Sequence, residues 1–341
     1  MTSAGLPGRL VRLYAVLIFG NVAAWVAAVA LFGSDVALLG TALLAYGLGL
    51  RHAVDADHIA AIDNVTRKLM QEGKRPVGVG LFFALGHSTV VILAGGAIAL
   101  TAGSLEARFP GLIESGGAIG TAVSASFLLL IAALNSTALL AIYRGFRQVR
   151  HGSYAAPLQF DSVLLERGLF ARLFRRLFPL IARSWHMYPL GILFGLGFDT
   201  ASEIGLLGIA ASEAANGLSA VSIVIFPALF TAGMSLIDAT DGVLMLGAYG
   251  WAFADPLRKL SYNLVVTAIS VLVALAVGGI EAFGLIGEKL GFGGGFWDIV
   301  AAAGGSFGML GCAIIGLFLL TWAVSLLVYR LKVPNNIGAR P

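Results

Sequence analysis

Eight apolar runs, each long enough to cross about 30 Å of hydrocarbon as a helix, constrain this chain more than any other feature. They lie near residues 13–33, 37–62, 77–101, 117–143, 186–211, 218–250, 262–287 and 301–329. A chain with 58% hydrophobic and only 12% charged residues is far from the soluble norm of roughly 25% charged. The fold class expected is therefore an all-α polytopic membrane protein, a single domain over 1–341 with eight transmembrane helices and the lipid bilayer as its solvent. The run at 218–250 is too long for one simple helix. Asp241-Gly242 marks a candidate break in it, with carboxylates capping freed backbone amides.

Basic residues set the expected orientation, because Lys and Arg stay on the cytoplasmic side. Of the 22, nineteen lie near the N-terminus (Arg9, Arg12), in 67–75, in 144–183, at Arg258-Lys259 and near the C-terminus. Only Arg108 and Lys289 fall in the opposite loops, and Arg51 lies inside a span. Both termini are thus expected in the cytoplasm, with the protein in the cytoplasmic membrane. The basic loop at about 144–185 reads as a topology signal lying on anionic headgroups, not as a nucleic-acid surface. The first run, about twenty residues without a charge after Arg12, exceeds the 7–15 residues or so of a signal-peptide core and is kept as a helix. The single cysteine, Cys312, excludes an intramolecular disulfide and a Cys-rich metal site.

Against this background Arg51-His-Ala-Val-Asp-Ala-Asp-His58 stands out. A charged side chain near the bilayer centre costs about 2.5–3.5 kcal/mol on insertion scales, so such residues line a pathway or bind an ion. Imidazoles with carboxylates suit a first-row transition-metal dication. On one regular helix His52, Asp55 and His58 would occupy a single arc, with Asp57 pointing elsewhere unless the helix unwinds. Asp199 and Glu203 share a helical face, as do Asp238 and Asp241. Six carboxylates against Arg51 leave a net negative charge that attracts a dication.

The halves of the chain echo one another. Gly47-Leu-Gly-Leu50 precedes the His/Asp motif and Gly195-Leu-Gly-Phe198 precedes Asp199-Thr-Ala-Ser-Glu203, 148 positions on; Phe83-Ala-Leu-Gly-His-Ser88 matches Phe230-Thr-Ala-Gly-Met-Ser235, 147 positions on. Under the expected topology these repeats, at about 37–143 and 186–289, are inverted and hold three helices each. Helices at about 13–33 and 301–329 lie outside them. Inverted repeats are a signature of secondary transporters with a site near the midplane.

Plainer roles compete at several positions. Arg51 reads as structural glue paired with a neighbouring aspartate. His87 is balanced between packing and a place in or around the metal site, and Asn21 between helix packing and the metal path. His151 and His186 read as solvated. Gly291-Phe-Gly-Gly-Gly-Phe296 reads as an outer loop, because without a strand before it and a helix after it is no nucleotide fingerprint.

His52-Ala-Val-Asp-Ala-Asp57-His58 has the HX4DH spacing and resembles the signature of the nickel/cobalt transporter (NiCoT) family. Phe82-Phe-Ala-Leu-Gly-His-Ser-Thr-Val90, Leu196-Gly-Phe-Asp-Thr-Ala-Ser-Glu203 and Ala232-Gly-Met-Ser-Leu-Ile-Asp-Ala-Thr-Asp-Gly242 resemble its other motifs, so the likeness covers nearly the whole chain. Ser202, where threonine is common, and Ala239 depart from the pattern but spare the carboxylates. The resemblance implies eight helices, high-affinity uptake of Ni2+ or Co2+, a central role for His52, Asp55, Asp57 and His58, and an influence of Asn21 on metal choice. The metal is then substrate and not cofactor, the chain is no enzyme, and no ATPase subunit is implied because no P-loop is present. Efflux relatives often carry a histidine-rich cytoplasmic loop, which residues 144–183 lack. A metal exporter with the same ligands, and an intramembrane zinc hydrolase using His52, His58 and His87, are the alternatives.

Overall fold

The structure, a computed structural model, describes residues 5–100, 112–150, 181–196, 201–252 and 256–332. Among these the regular elements are helices, with no strand: α1 (Leu6–Phe32), α2 (Val36–His52), α3 (Ala56–Gln71), α4 (Val79–Leu100), α5 (Leu112–Arg150), α6 (Met187–Gly195), α7 (Ala201–Ala215), the one-turn α8 (Ala220–Ile223), α9 (Ile225–Ala252), α10 (Pro256–Leu290), α11 (Phe296–Gly304) and α12 (Phe307–Lys332). Asp199, His151 and most of the basic connection lie outside the described residues.

Among the described residues four helices are long and apolar enough to cross a membrane, or six if the bent pairs α2/α3 and α11/α12 each make one span. The expected runs at 117–143 and 186–211 fall on α5 and on α6 with α7, where the apolar helical stretches are shorter, Ala118–Ala133 and Gly205–Ala215. The run at 37–62 is not one helix. It bends by 51° between α2 and α3, where Ala53 and Val54 form a turn and Asp55 adopts an extended conformation at the N-cap of α3. The expected break at Asp241-Gly242 is absent, because α9 runs continuously through it. Gly242 serves packing instead: a Cβ there would lie 3.4 Å from the Gly80 amide nitrogen and 3.5 Å from Ile62.

Lipid exposure and enclosure separate α1 from α3. α1 buries one stripe, Leu13, Leu17, Ala28 and Phe32, at the spacing of a single helical face. Val16, Phe19, Val22 and Val26 face outward, as a lipid-facing helix requires. α3 is polar yet enclosed: every residue from His58 to Leu69 is buried. Arg67 and Lys68, expected in a cytoplasmic loop, are therefore inside the helical body. Lys68 donates to the Ile181 carbonyl at 2.8 Å, which gives the buried cation a partner.

Close backbone approach holds the centre. Added Cβ atoms at Gly49 and Gly191 would run into the carbonyls of Phe230 and Phe83 respectively. These contacts bind α2 to α9 and α4 to α6, and so bring residues 52, 87 and 238 together.

Candidate metal centre

The break between α2 and α3 builds the site. Asp55 occupies an N-cap, a position where aspartate ordinarily bonds the first amides of the helix, but its side chain makes no capping bond. Its Oδ2 lies 3.1 Å from His52 Nδ1 instead. The bend turns His52, the last residue of α2, toward His58 on α3, and the two rings stand 4.6 Å apart. α4 adds His87, at 4.8 Å from the His52 ring and 4.9 Å from the His58 ring. One ring nitrogen from each histidine lies within 4.8 Å of the other two, and all three residues are buried.

Carboxylates fix the outer edges of the rings. Asp55 holds His52 Nδ1, and Asp238 on α9 holds His58 Nδ1 at 3.2 Å. This leaves the opposite nitrogen of each ring for a ligand, the usual carboxylate–histidine arrangement at metals. His58 Nε2 has no hydrogen-bond partner among the described residues. His52 Nε2 lies 3.0 Å from His87 Nε2, which in turn lies 2.8 Å from Glu203 Oε1 on α7. Glu203 Oε1 is 3.9 Å from His52 Nε2. Lone pairs cannot face each other at such distances without a proton or cation between them. Metal–nitrogen bonds of about 2.1 Å would put neighbouring ligands of an octahedral ion about 3.0 Å apart, close to the His52–His87 separation. Phe83 packs edge-on against His58 at 4.8 Å and Phe230 beside His52 at 5.5 Å, so apolar walls keep the field of these charges unscreened.

The residues singled out in the sequence thus fall into three groups. His52, Asp55, His58, His87, Glu203 and Asp238 converge. Asp57 is half-buried in the first turn of α3, with Oδ1 unpartnered among the described residues, and Asp241 sits one turn beyond Asp238. Asn21 is engaged elsewhere: it donates to the Leu17 and Ala232 carbonyls at 2.9 and 3.2 Å and accepts from Tyr46 at 2.9 Å, joining α1, α2 and α9. Arg51 lies within electrostatic range of the neighbouring Asp55; it also donates to Ser202 Oγ at 2.5 Å and ties α2 to α7. His186 accepts from the Ala182 amide at 3.2 Å.

A buried polar network beyond the motif escaped the sequence. Asp63 accepts from Tyr249 and, at 2.7 Å, from Ser270; Asn64 Oδ1 accepts from Arg67 at 3.0 Å and Asn135 at 2.6 Å. The available signal is Asp63-Asn64, one turn of apolar residues beyond the motif, where polarity alone reads as the end of a span.

A helical membrane protein with imidazoles and carboxylates gathered in a buried, aromatic-walled centre is built to handle a metal dication. The chain belongs to the high-affinity nickel-transport protein family NicO, whose model matches residues 38–328. It is 56% identical to a high-affinity nickel transport protein of Cupriavidus necator over 97% of this chain and 95% of that protein. It is 46% identical to the nickel transporter NicT of Mycobacterium tuberculosis over 94% and 89%, and 44% identical to the cobalt transport protein NhlF of Rhodococcus rhodochrous over 88% and 85%. No solved structure gives a significant match. These relatives are named for transport and not for catalysis, so the hydrolase alternative has no support among them.

Proposed function

We propose that this chain imports Ni2+ or Co2+ across the cytoplasmic membrane, with both termini in the cytoplasm, and that His52, His58 and His87 bind the ion together with Glu203. The observation carrying this is the cluster of His52 Nε2, His87 Nε2 and Glu203 Oε1, whose lone pairs one cation would satisfy at once. The substrate class rests on the family and on the suitability of imidazole for nickel. An inside-negative potential favours inward movement of a dication by about 4.6 kcal/mol per 100 mV, twice the unit-charge value, enough to drive uptake without ATP.

Eight spans with two inverted three-helix repeats fit this activity, and reciprocal packing supports them. The first helix of each repeat lies on the second helix of the other: α2 on α9 and α6 on α4. The contacts correspond as well. Gly49 meets Phe230 and Gly191 meets Phe83, while Gly233 meets Tyr46 and Gly86 meets Tyr188. On the first helices this correspondence pairs Tyr46 with Tyr188 and Gly49 with Gly191, 142 positions on, a different register from the Gly-Leu-Gly match. Rocking one repeat against the other would expose the histidines to each side in turn.

The test is uptake of radioactive Ni2+ into proteoliposomes holding an inside-negative potassium diffusion potential. His52→Ala and His58→Ala should abolish uptake while insertion persists. Near-wild-type uptake at submicromolar metal would overturn the assignment.

A further inference from the structure

Beyond the histidines, α3 and α9 run on side by side, and polar groups recur between them among the apolar Ile62 and Met245. At roughly 100° per residue, His58, Ile62, Thr66 and Asp63 share an arc of roughly 140° on α3, and Asp238, Asp241, Met245 and Tyr249 an arc of roughly 80° on α9. These arcs face each other: His58 meets Asp238, Ile62 is the near neighbour of Gly242, and Asp63 accepts from Tyr249. Asp241 lies between the first and last of these contacts, within electrostatic range of Asp63 and Asp238.

The side chains there are bonded unevenly. Both Asp241 oxygens are buried without a hydrogen-bond partner among the described residues, and so is the hydroxyl of Thr66. Thr66 is fully buried and Asp241 only 5% exposed. Thr66 lies angularly between Ile62 and Asp63, the residues of α3 that meet α9, which puts it on the α9-facing side of α3. Asp63 is oriented by Tyr249 and Ser270, and a carboxylate with about four lone-pair sites keeps capacity for a further partner. One turn on, Arg67 is buried with Nε and Nη1 unpartnered among the described residues, a fixed positive charge within electrostatic range of Asp63.

We propose that Asp241, Asp63 and Thr66 form a second, inner station for the divalent cation, built of oxygen donors alone, which receives the ion from the histidines on its way to the cytoplasm. The inference rests on the transport reading above. Its chemistry explains release: imidazole suits nickel, whereas carboxylate and hydroxyl oxygens suit Mn2+ and Mg2+, so Ni2+ moving inward meets a weaker site. Asp238, which holds His58 and shares a face with Asp241, joins the two stations.

The test combines binding to the detergent-purified full chain with uptake into proteoliposomes. Asp241→Asn should retain tight Ni2+ binding by calorimetry within threefold of wild type, yet lower the maximal rate of Ni2+ uptake at least tenfold. A His52→Ala/His58→Ala variant should lose tight Ni2+ binding but keep a weaker Mn2+ site, read as loss of the free Mn2+ electron paramagnetic resonance signal. Adding Asp241→Asn should remove that site, and adding the shape-preserving Thr66→Val should weaken it several-fold. Loss of tight Ni2+ binding in Asp241→Asn with the histidines intact would place Asp241 in the first site and overturn the proposal, as would unchanged uptake, or Mn2+ binding that neither addition alters. Tight Ni2+ binding that survives loss of both histidines would instead overturn the underlying metal-site reading.

Discussion

Replacing Asp238 isolates what a carboxylate behind an imidazole contributes. Asp238 approaches His58 Nδ1 at 3.2 Å through Oδ2 and 3.4 Å through Oδ1, and both residues are fully buried. Holding Nδ1–H there keeps the opposite nitrogen unprotonated and makes it more basic. Asp238→Asn keeps an oxygen acceptor of the same shape but removes the charge, so tautomer and ring orientation survive while basicity falls. Asp238→Ala removes all three and leaves a buried donor unsatisfied. Changes of this kind cost about 10–100-fold in metal affinity, or about 1.4–2.8 kcal/mol at 1.4 kcal/mol per tenfold. The amide is expected near the lower figure and alanine near the upper. Calorimetric titration of Ni2+ into the purified variants measures both. Affinities within twofold of wild type for Asp238→Ala would refute the claim that Asp238 orients a ligand.

Glu203→Gln should weaken Ni2+ binding by tenfold or more, because Glu203 faces His87 at 2.8 Å; the exposed Glu288→Gln is the control, and equal effects on equilibrium binding would remove Glu203 from the site. Asp199→Asn should lower uptake more than Glu288→Gln, measured in proteoliposomes. Protons compete for imidazole, and a free histidine titrates near 6.5, so apparent Ni2+ affinity should fall as external pH drops from about 7.5 to about 5.5 at fixed membrane potential; affinity constant over that range would contradict histidine ligation. Gly49→Ala should destabilise the protein by about 1–3 kcal/mol through overpacking, seen as a lower midpoint in thermal unfolding in detergent, because its Cβ would meet the Phe230 carbonyl.

Much of the centre was legible because an ionisable group in an apolar run demands a role. His52, His58, Glu203 and Asp238 stand out in this way whichever helices touch. The bend at Ala53 and Val54 does not, because both residues are apolar and nothing in their hydropathy marks it. The structure gathers the histidines by breaking the helix, where the sequence offered one continuous arc. Glycine misled in the opposite direction. Gly242 beside an aspartate reads as a breaker, but its missing Cβ lets α9 approach α3 and α4. The polar stretch from Asp63 to Lys68 was least legible, since hydropathy treats charge as exposure. Its burial depends on partners distant in sequence, Asn135, Ile181, Tyr249 and Ser270, which no local pattern can announce.

The central claim is that the transported ion is held by imidazoles at the junction of α2, α3 and α4. X-ray absorption at the nickel edge, on the purified chain loaded with one equivalent of Ni2+, tests it most directly. The account predicts the outer-shell scattering of at least two imidazoles with nitrogen and oxygen neighbours near 2.1 Å, reduced in His58→Ala. An all-oxygen shell without imidazole scattering, unchanged in that variant, would contradict it.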